Sequence, residues 1–501
     1  LAPDRRYIPS PFWGGKLVSS SRRLVVATTG LFALILVTLL APSELNGVWR
    51  VVAQDAGKAG AGAAPEAPGK YLGATTCDSA SCHTKPEARE RPPYLTEYTS
   101  WSAMDGDVPY DRHSYAWRRL RSAEKGGDDA SPAIMAKLNE LEGTKEVAEK
   151  SARCLSCHAV SVHDYGVGEK NPGAPVALHR NLQGARYRPE EGVTCDGCHG
   201  PAEKWLKAHE KENWTIEEWK KLGGPSGGSQ KLYDQHGIFY SKDLVLWADQ
   251  CIRCHLRIDT NMLDAGHPDL LPFELFGHNQ QVPHWRDYSF EEPSPELPGA
   301  GPMHAARQWQ TGQAAALRSA FEQLRDRASG AAFNRPDPAH LRAGLERAAG
   351  HWAVVRHAIT RSAPDSARAL GSHFEALRAA IPAEGDIDVA KVATISGEAR
   401  AAVAPLVRTL ADAAIDAPAV VQLMKAIATD PAAASTTPAG EQARLGLYAL
   451  NYARLVATDP DGLSADPPTD KPMLAIYALY DVETGTPEFA TALQAVGKAL
   501  E

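Results

Sequence analysis

The chain has 501 residues and a net charge of -8, and 44% of it is hydrophobic and 23% charged. Those fractions exclude disorder throughout, and an acidic balance with an isoelectric point of about 6.1 argues against a nucleic-acid binder, which is normally basic. Aromatic residues make up only 7% and Ala is abundant, which predicts a mainly α protein with little sheet. The length suggests roughly three domains.

Residues 1–23 read as a short cytoplasmic stub carrying Arg5, Arg6, Lys16, Arg22 and Arg23. Residues 24–43 follow without a charge and are long enough to cross a bilayer as one helix. The basic flank puts the N-terminus in the cytoplasm and exports the rest. A cleaved signal ending near Ala53 is the competing reading, but the run exceeds a usual signal core, so a transmembrane anchor in a bacterial inner membrane is favoured. Residues 44–70 form an Ala/Gly/Pro tether.

The eight Cys fall in four pairs: Cys77 and Cys82, Cys154 and Cys157, Cys195 and Cys198, Cys251 and Cys254. Each pair is followed at once by a histidine: His83, His158, His199 and His255. Four such coincidences by chance have a probability of about one in a million, and C-x-x-C-H is the attachment signature of c-type haem. Two thiols add to the haem vinyl groups, and the next residue presents its imidazole to the iron as proximal ligand. The first pair has a four-residue spacer, Asp78-Ser79-Ala80-Ser81, whose small residues suit a loop. Zinc would not require a His after every pair, a redox dithiol would need one pair in an α/β setting, and disulfides leave the histidines unexplained. The pattern predicts four covalently bound haem c groups, which consume every cysteine.

Residues 71–304 carry all of these motifs and are expected to form one compact tetrahaem domain whose apolar core is largely the haems. Two stretches inside it read as helical, Asp129–Lys150 and Pro201–Leu222, the latter carrying Trp205, His209 and Trp219. From residue 305 Cys is absent, and apolar residues recur at three- and four-residue spacing. Residues 305–501 are therefore expected to be six to eight helices in an all-α bundle that buries its own apolar faces. Its histidines, His340, His351, His357 and His373, lack attachment motifs and read as core or surface residues.

The run Glu191-Gly192-Val193-Thr194-Cys195-Asp196-Gly197-Cys198-His199-Gly200-Pro201, followed by Trp205 and His209, resembles the third haem site of the tetrahaem cytochrome c-554 family. The order of sites is also similar: a first pair, a Trp-rich segment with a histidine (Trp101 and His113), then three more pairs. The resemblance covers about 71–285. It implies electron transfer through closely stacked haems, mostly with two His ligands, and that the second haem lacks a distal ligand in some members. The widened first site and the long helical region depart from the small members of that family.

Four proximal histidines call for up to four distal partners. His113 is favoured by the resemblance, His209 by its place on a helix beyond the third site, His267 by its rigid Ala265-Gly266-His267-Pro268 loop, and His179 by its position before the third site. His236 and His284 are reserves, and His163 is too close in sequence to His158 to reach the far side of that iron. Met104, Met262 and Met303 read as gap-fillers.

Two functions remain. The first is a membrane-anchored electron carrier linking a membrane respiratory or photosynthetic complex to a periplasmic redox partner protein, with the helical region as a docking module. The second is an oxidoreductase acting on a small nitrogen compound at a five-coordinate haem, with His163, Tyr165 and Arg186 near the second site. No Cys-x-x-Cys-Lys motif supports that alternative.

Overall fold

The computed structural model describes residues 69–79, 81–85, 95–106, 108–127, 129–159, 183–269, 272–294, 297, 299–331, 333–464 and 468–501. The expected membrane anchor at 24–43, the tether as far as residue 68, and His163 and His179 lie outside them. The fold is mainly helical, 67% helix against 2% strand. Among the described residues no helix is long and apolar enough to cross a membrane.

The N-terminal part is built from short pieces. In order these are α1 (Glu97–Ser102), a two-stranded antiparallel hairpin of β1 (Met104–Asp105) and β2 (Val108–Pro109), α2 (Ala130–Glu142), α3 (Ala152–His158), α4 (Cys195–His199), α5 (Trp214–Lys221), α6 (Gly228–His236), α7 (Leu244–His255), α8 (Thr260–Asp264) and α9 (Leu275–Gln280). Single 3-10 turns link many of them. The helix expected over Asp129–Lys150 stops at Gly143, which adopts φ +67° and ends α2 in a left-handed cap.

The continuous helix expected over Pro201–Leu222 does not form. That stretch is two 3-10 turns, Ala202–Lys204 and Ala208–Glu210, and then α5. The Asp196 carboxylate takes the Ala202 N–H at 2.8 Å, and Asn213 sits at φ +62° immediately before α5. Each diverts the backbone from a continuous ladder, so His209 stands on a tight turn.

Eight helices follow among the described residues: α10 (His304–Ser329), α11 (Pro338–Ser362), α12 (Pro364–Ala380), α13 (Val389–Asp412), α14 (Ala417–Thr429), α15 (Thr437–Thr458), α16 (Lys471–Ala478) and α17 (Pro487–Ala499). Asp or Thr side chains cap most of their N-termini, as Asp337 does for α11, Asp416 for α14 and Thr486 for α17.

The central member is α10, which packs against α13, α11, α15, α7 and α9. Its Ala-rich surface is buried nearly all round, as a helix enclosed by neighbours must be. Gly312 lets it close onto α9, since a Cβ there would lie 2.6 Å from that of Leu275. One hydrophobic core consequently runs from Trp247, Ala248, Ile252 and Leu256 of the α7 region, through Phe273, Leu275 and Phe276, into the bundle. The bundle does not bury its faces only against itself, as periodicity alone suggests. Its central helix also covers the element that carries the fourth Cys pair.

Candidate functional site

The first motif follows a 3-10 turn at Ala74–Thr76. Its widened spacer is a local loop. Cys82 N–H donates to the Ser79 carbonyl at 2.8 Å, the Ser79 and Ser81 hydroxyls are 2.9 Å apart, and the Thr84 hydroxyl donates to Asp78 at 2.8 Å. His83 Nδ1 donates to the Glu97 carboxylate at 2.8 Å. Burial is the largest single influence and would raise the Glu97 carboxyl, but the His83 hydrogen bond, the backbone N–H groups and the His83 charge together hold it below its ordinary value.

The second motif lies on α3, where His158 Nδ1 donates to the Ala116 carbonyl at 2.9 Å. A small core of Leu120, Met135, Leu138, Ala148, Leu155, Ala159 and Ala265 surrounds it, with Trp117, Met262 and Cys154 at its edge. Arg153 joins α3 to Glu142 and Asp259.

The third motif is α4 itself. Asp196, between its cysteines, is buried and accepts from Leu72 N at 3.0 Å and Gly73 N at 2.8 Å as well as from Ala202. It thereby pins the segment before the first motif to the third, and burial pushes its carboxyl up to about 6. Gly200, at φ +88°, admits the Gly237 carbonyl where a Cβ would meet it at 2.0 Å.

The fourth motif ends α7, which Asp243 caps through Val245 N and Leu246 N at 3.1 and 3.4 Å. Arg253 Nη2 donates to the Gly197 carbonyl at 2.8 Å, and Gln250 donates to the same oxygen. These contacts join the fourth motif to the third.

Thiols of different motifs also meet. Cys77 lies beside Cys195 and Cys157 beside Cys254, and Cys254 Sγ is 3.9 Å from the Ser156 carbonyl. The four motifs thus abut in the spatial order first, third, fourth, second.

Two pairs of imidazoles face each other across the region. The His83 and His209 ring centres are 6.3 Å apart with planes at 4°. Those of His113 and His255 are also 6.3 Å apart, with planes at 82°. Rings in direct stacking contact sit closer. Two imidazoles that ligate one metal atom from opposite sides, each through a bond of about 2 Å, have centres about 6 Å apart. Each pair joins one histidine that follows a Cys pair to one that does not.

The outer nitrogens are anchored as metal-ligating histidines require. His113 Nδ1 donates to Asp111 at 2.9 Å and His209 Nδ1 to the Leu206 carbonyl. In each case Nε2 is the nitrogen left for a ligand bond. Burial, together with the neighbouring His278 and His113, holds His255 well below its ordinary value, so it stands as a neutral, ligand-ready imidazole.

His267 is not set against a proximal ring. Its Nδ1 donates to the Pro268 carbonyl at 2.8 Å on a partly exposed turn. The turn does reach the second motif's core through Ala265 and Met262.

His284 is brought to the third motif instead. It is buried beside His199, and after burial its charge is the next cause that holds His199 down to about 4. Trp285 stacks on Trp247 at 5.5 Å, and Trp247 lies 6.2 Å from the His199 ring. That aromatic wall places His284, and only the adjacent Trp285 hints at it in the sequence.

Among the described residues no group of three or more His, Cys, Asp or Glu converges as a metal-ion site; the histidines oppose one another in twos. Compared with known protein families, curated proteins and solved structures, the chain matches none.

Proposed function

We propose that the protein is a multihaem c-type cytochrome, and within that class a membrane-anchored tetrahaem electron carrier resembling the cytochrome c-554 family. The observation that carries this reading is the placement of His209 opposite His83 and of His113 opposite His255, each at a ring-centre separation of 6.3 Å. A motif that names only the proximal histidine is thereby matched by a partner at ligand spacing.

Each haem, held by one Cys pair, would supply an iron that takes up or gives back one electron without leaving the protein. The chain's own residues determine what that iron can do. His83 with His209, and His255 with His113, would hold two of the irons between paired imidazoles and so keep substrate away. His158 and His199 would hold the groups of the second and third motifs, with His284 near His199. Glu97 and Asp111 keep their histidines oriented and electron-rich. The contacts between successive motifs would bring neighbouring groups close together, and the two opposed histidine pairs favour a carrier over a catalyst of nitrogen-compound chemistry. Residues 24–43 would hold the carrier at the periplasmic face of the inner membrane, between a membrane respiratory or photosynthetic complex and a periplasmic partner.

The test is direct. The intact protein, expressed with the c-type maturation machinery, is assayed by pyridine haemochrome absorbance and intact mass. Four covalent haems per chain are expected. A haem-free mature chain, or one with metal bound to intact thiols, overturns the reading.

A further inference from the structure

Between the first and second motifs the chain makes an outward-facing segment that touches two of the four sites. His113, within it, opposes His255 of the fourth motif, and the Ala116 carbonyl holds His158 of the second at 2.9 Å. Its outer surface is unusual in two ways.

The first is apolar exposure. Met104, Val108 and Tyr110, in and beside the β1–β2 hairpin, are 41%, 59% and 56% exposed. They are three of the seven exposed large hydrophobic residues among the described residues, so the patch is concentrated rather than scattered.

The second is charge. Arg112, Arg118, Arg119 and Arg121 fall within ten residues, and Arg112 is held below its ordinary value by desolvation and then by the charge of Arg119 nearby. Arg118 rests over the Tyr115 ring at 5.2 Å and Arg121 over the Trp117 ring at 5.6 Å, which spreads the guanidiniums flat on the surface. The turn Pro189–Glu191 packs against Trp117–Leu120 and brings exposed Arg186 and Arg188 alongside. Asp105, Glu124 and Glu190 stand among these groups, while Lys125 and Glu149 satisfy each other at 3.2 Å. Arginine dominates the patch on a chain whose net charge is -8.

We propose that this surface, Met104–Tyr110 with the arginines of 112–121, is the docking site of a small acidic electron-carrier protein. The proposal rests on the tetrahaem reading and names the partner for it. On a chain of net charge -8 an arginine-rich face attracts an acidic carrier, which steers it to the two sites beneath. The apolar hairpin supplies the contact that excludes water at the centre, and the arginines supply the charged rim, an arrangement suited to a small transient interface.

The experiment uses the full haem-loaded protein in detergent and a plant-type [2Fe–2S] ferredoxin as the acidic probe. Both are kept oxidised, so binding is read without electron flow. Calorimetry should give a Kd that weakens steeply with salt. The triple variant Arg118→Glu, Arg119→Glu, Arg121→Glu should weaken it about tenfold or more with an unchanged haem spectrum. Arg118→Gln with Arg119→Gln should weaken it less, and serves if the reversal disturbs folding. Val108→Ser should weaken binding at every salt concentration. Arg368→Glu, on the exposed face of α12, should leave it unchanged. Equal affinity of the triple variant and the wild type overturns the docking site. So does a variant that loses binding only to phosphatidylglycerol vesicles, which would make the patch a lipid contact. A chain without haem instead overturns the functional reading beneath it.

Discussion

The rings of His83 and His209 face each other with centres 6.3 Å apart and planes within 4°. His113 and His255 repeat the separation but cross at 82°. The difference is set by what holds each ring from behind. His83 leans on the Glu97 carboxylate and His209 on the Leu206 carbonyl of its own turn, while Asp111 fixes His113 by accepting from both its backbone and its Nδ1 at 2.9 Å. The same two ligands are thus presented in two orientations by local hydrogen bonding.

Ligand-plane orientation has a spectroscopic consequence. Near-parallel imidazoles should give a rhombic low-spin ferric signal in electron paramagnetic resonance, and crossed imidazoles a single feature at large g. His209→Ala should remove the first signal and His113→Ala the second, each with new high-spin intensity. If both variants lose the same signal, or neither loses one, the assigned pairing is wrong.

Asp111 offers a second test. Burial is the largest single influence and would raise its carboxyl, yet the side-chain and backbone hydrogen bonds from His113 and that ring's charge together hold it below its ordinary value. A buried carboxylate behind a ligand makes the imidazole a stronger donor and favours the ferric state. Asp111→Asn keeps the shape and removes the charge. The potential of the fourth site should rise by ~60 mV, which corresponds to a tenfold loss of ferric preference for one electron. Spectroelectrochemical titration measures it, and an unchanged or lower potential contradicts the role given to Asp111.

The attachment motifs are legible in the sequence because covalent chemistry demands that thiols and proximal ligand be neighbours in the chain. Distal ligands carry no such constraint. His113 and His209 are recognisable as candidates, but nothing local says which motif each faces. His267 sits in a convincing Gly-His-Pro turn that anchors its Nδ1 on the Pro268 carbonyl, and nothing in the turn says which motif the ring would face. His284 is placed by tryptophan stacking that only the folded chain creates. The bundle helices follow from periodicity. The signal that α10 is shared also exists, in the Ala and Gln residues that leave it without a conventional polar face.

Glu274 predicts a pH dependence of stability. It caps α9 through Phe276 N at 2.9 Å and Gly277 N at 2.6 Å, and burial still pushes it up to about 7. The groups around it are His278, held down to about 4 mainly by burial, and Tyr448 and Tyr480, both raised by burial. Between pH 5 and 7 Glu274 keeps a proton in the folded state that the unfolded state releases, so its own contribution to stability falls as pH rises, by at most about 1.4 kcal/mol per unit. His278 works the other way, because the unfolded chain protonates it near its ordinary value. Glu274→Gln retains a capping acceptor and removes only the falling contribution, so the variant's stability should gain on the wild type's as pH rises from 5 to 7.5. Urea midpoints at pH 5 and 7.5 that move equally in both proteins would count against this assignment.

The last prediction concerns α10. Its Gln323 donates to the Leu256 carbonyl and its Arg327 to that of Ile258 at 3.3 Å, while Gln313 reaches the Phe273 carbonyl at 3.3 Å. These are the carbonyls flanking the loop that leaves His255. Below them, Trp247, Ile252 and Leu256 lie in one core with Phe321 and Leu324. Removing residues 305–501 would uncover that core and strip three carbonyls of the donors that fix the loop. The truncated chain should therefore aggregate or lose the fourth haem instead of yielding an intact tetrahaem domain. Arg327→Met, similar in volume but unable to donate, should cost about 1–3 kcal/mol and disturb the large-g signal of the crossed pair while sparing the rhombic one. Arg327→Lys should recover part of the loss. If the truncated protein stays soluble with four haems and both signals intact, α10 is a separate module and the shared core has no role at the fourth site.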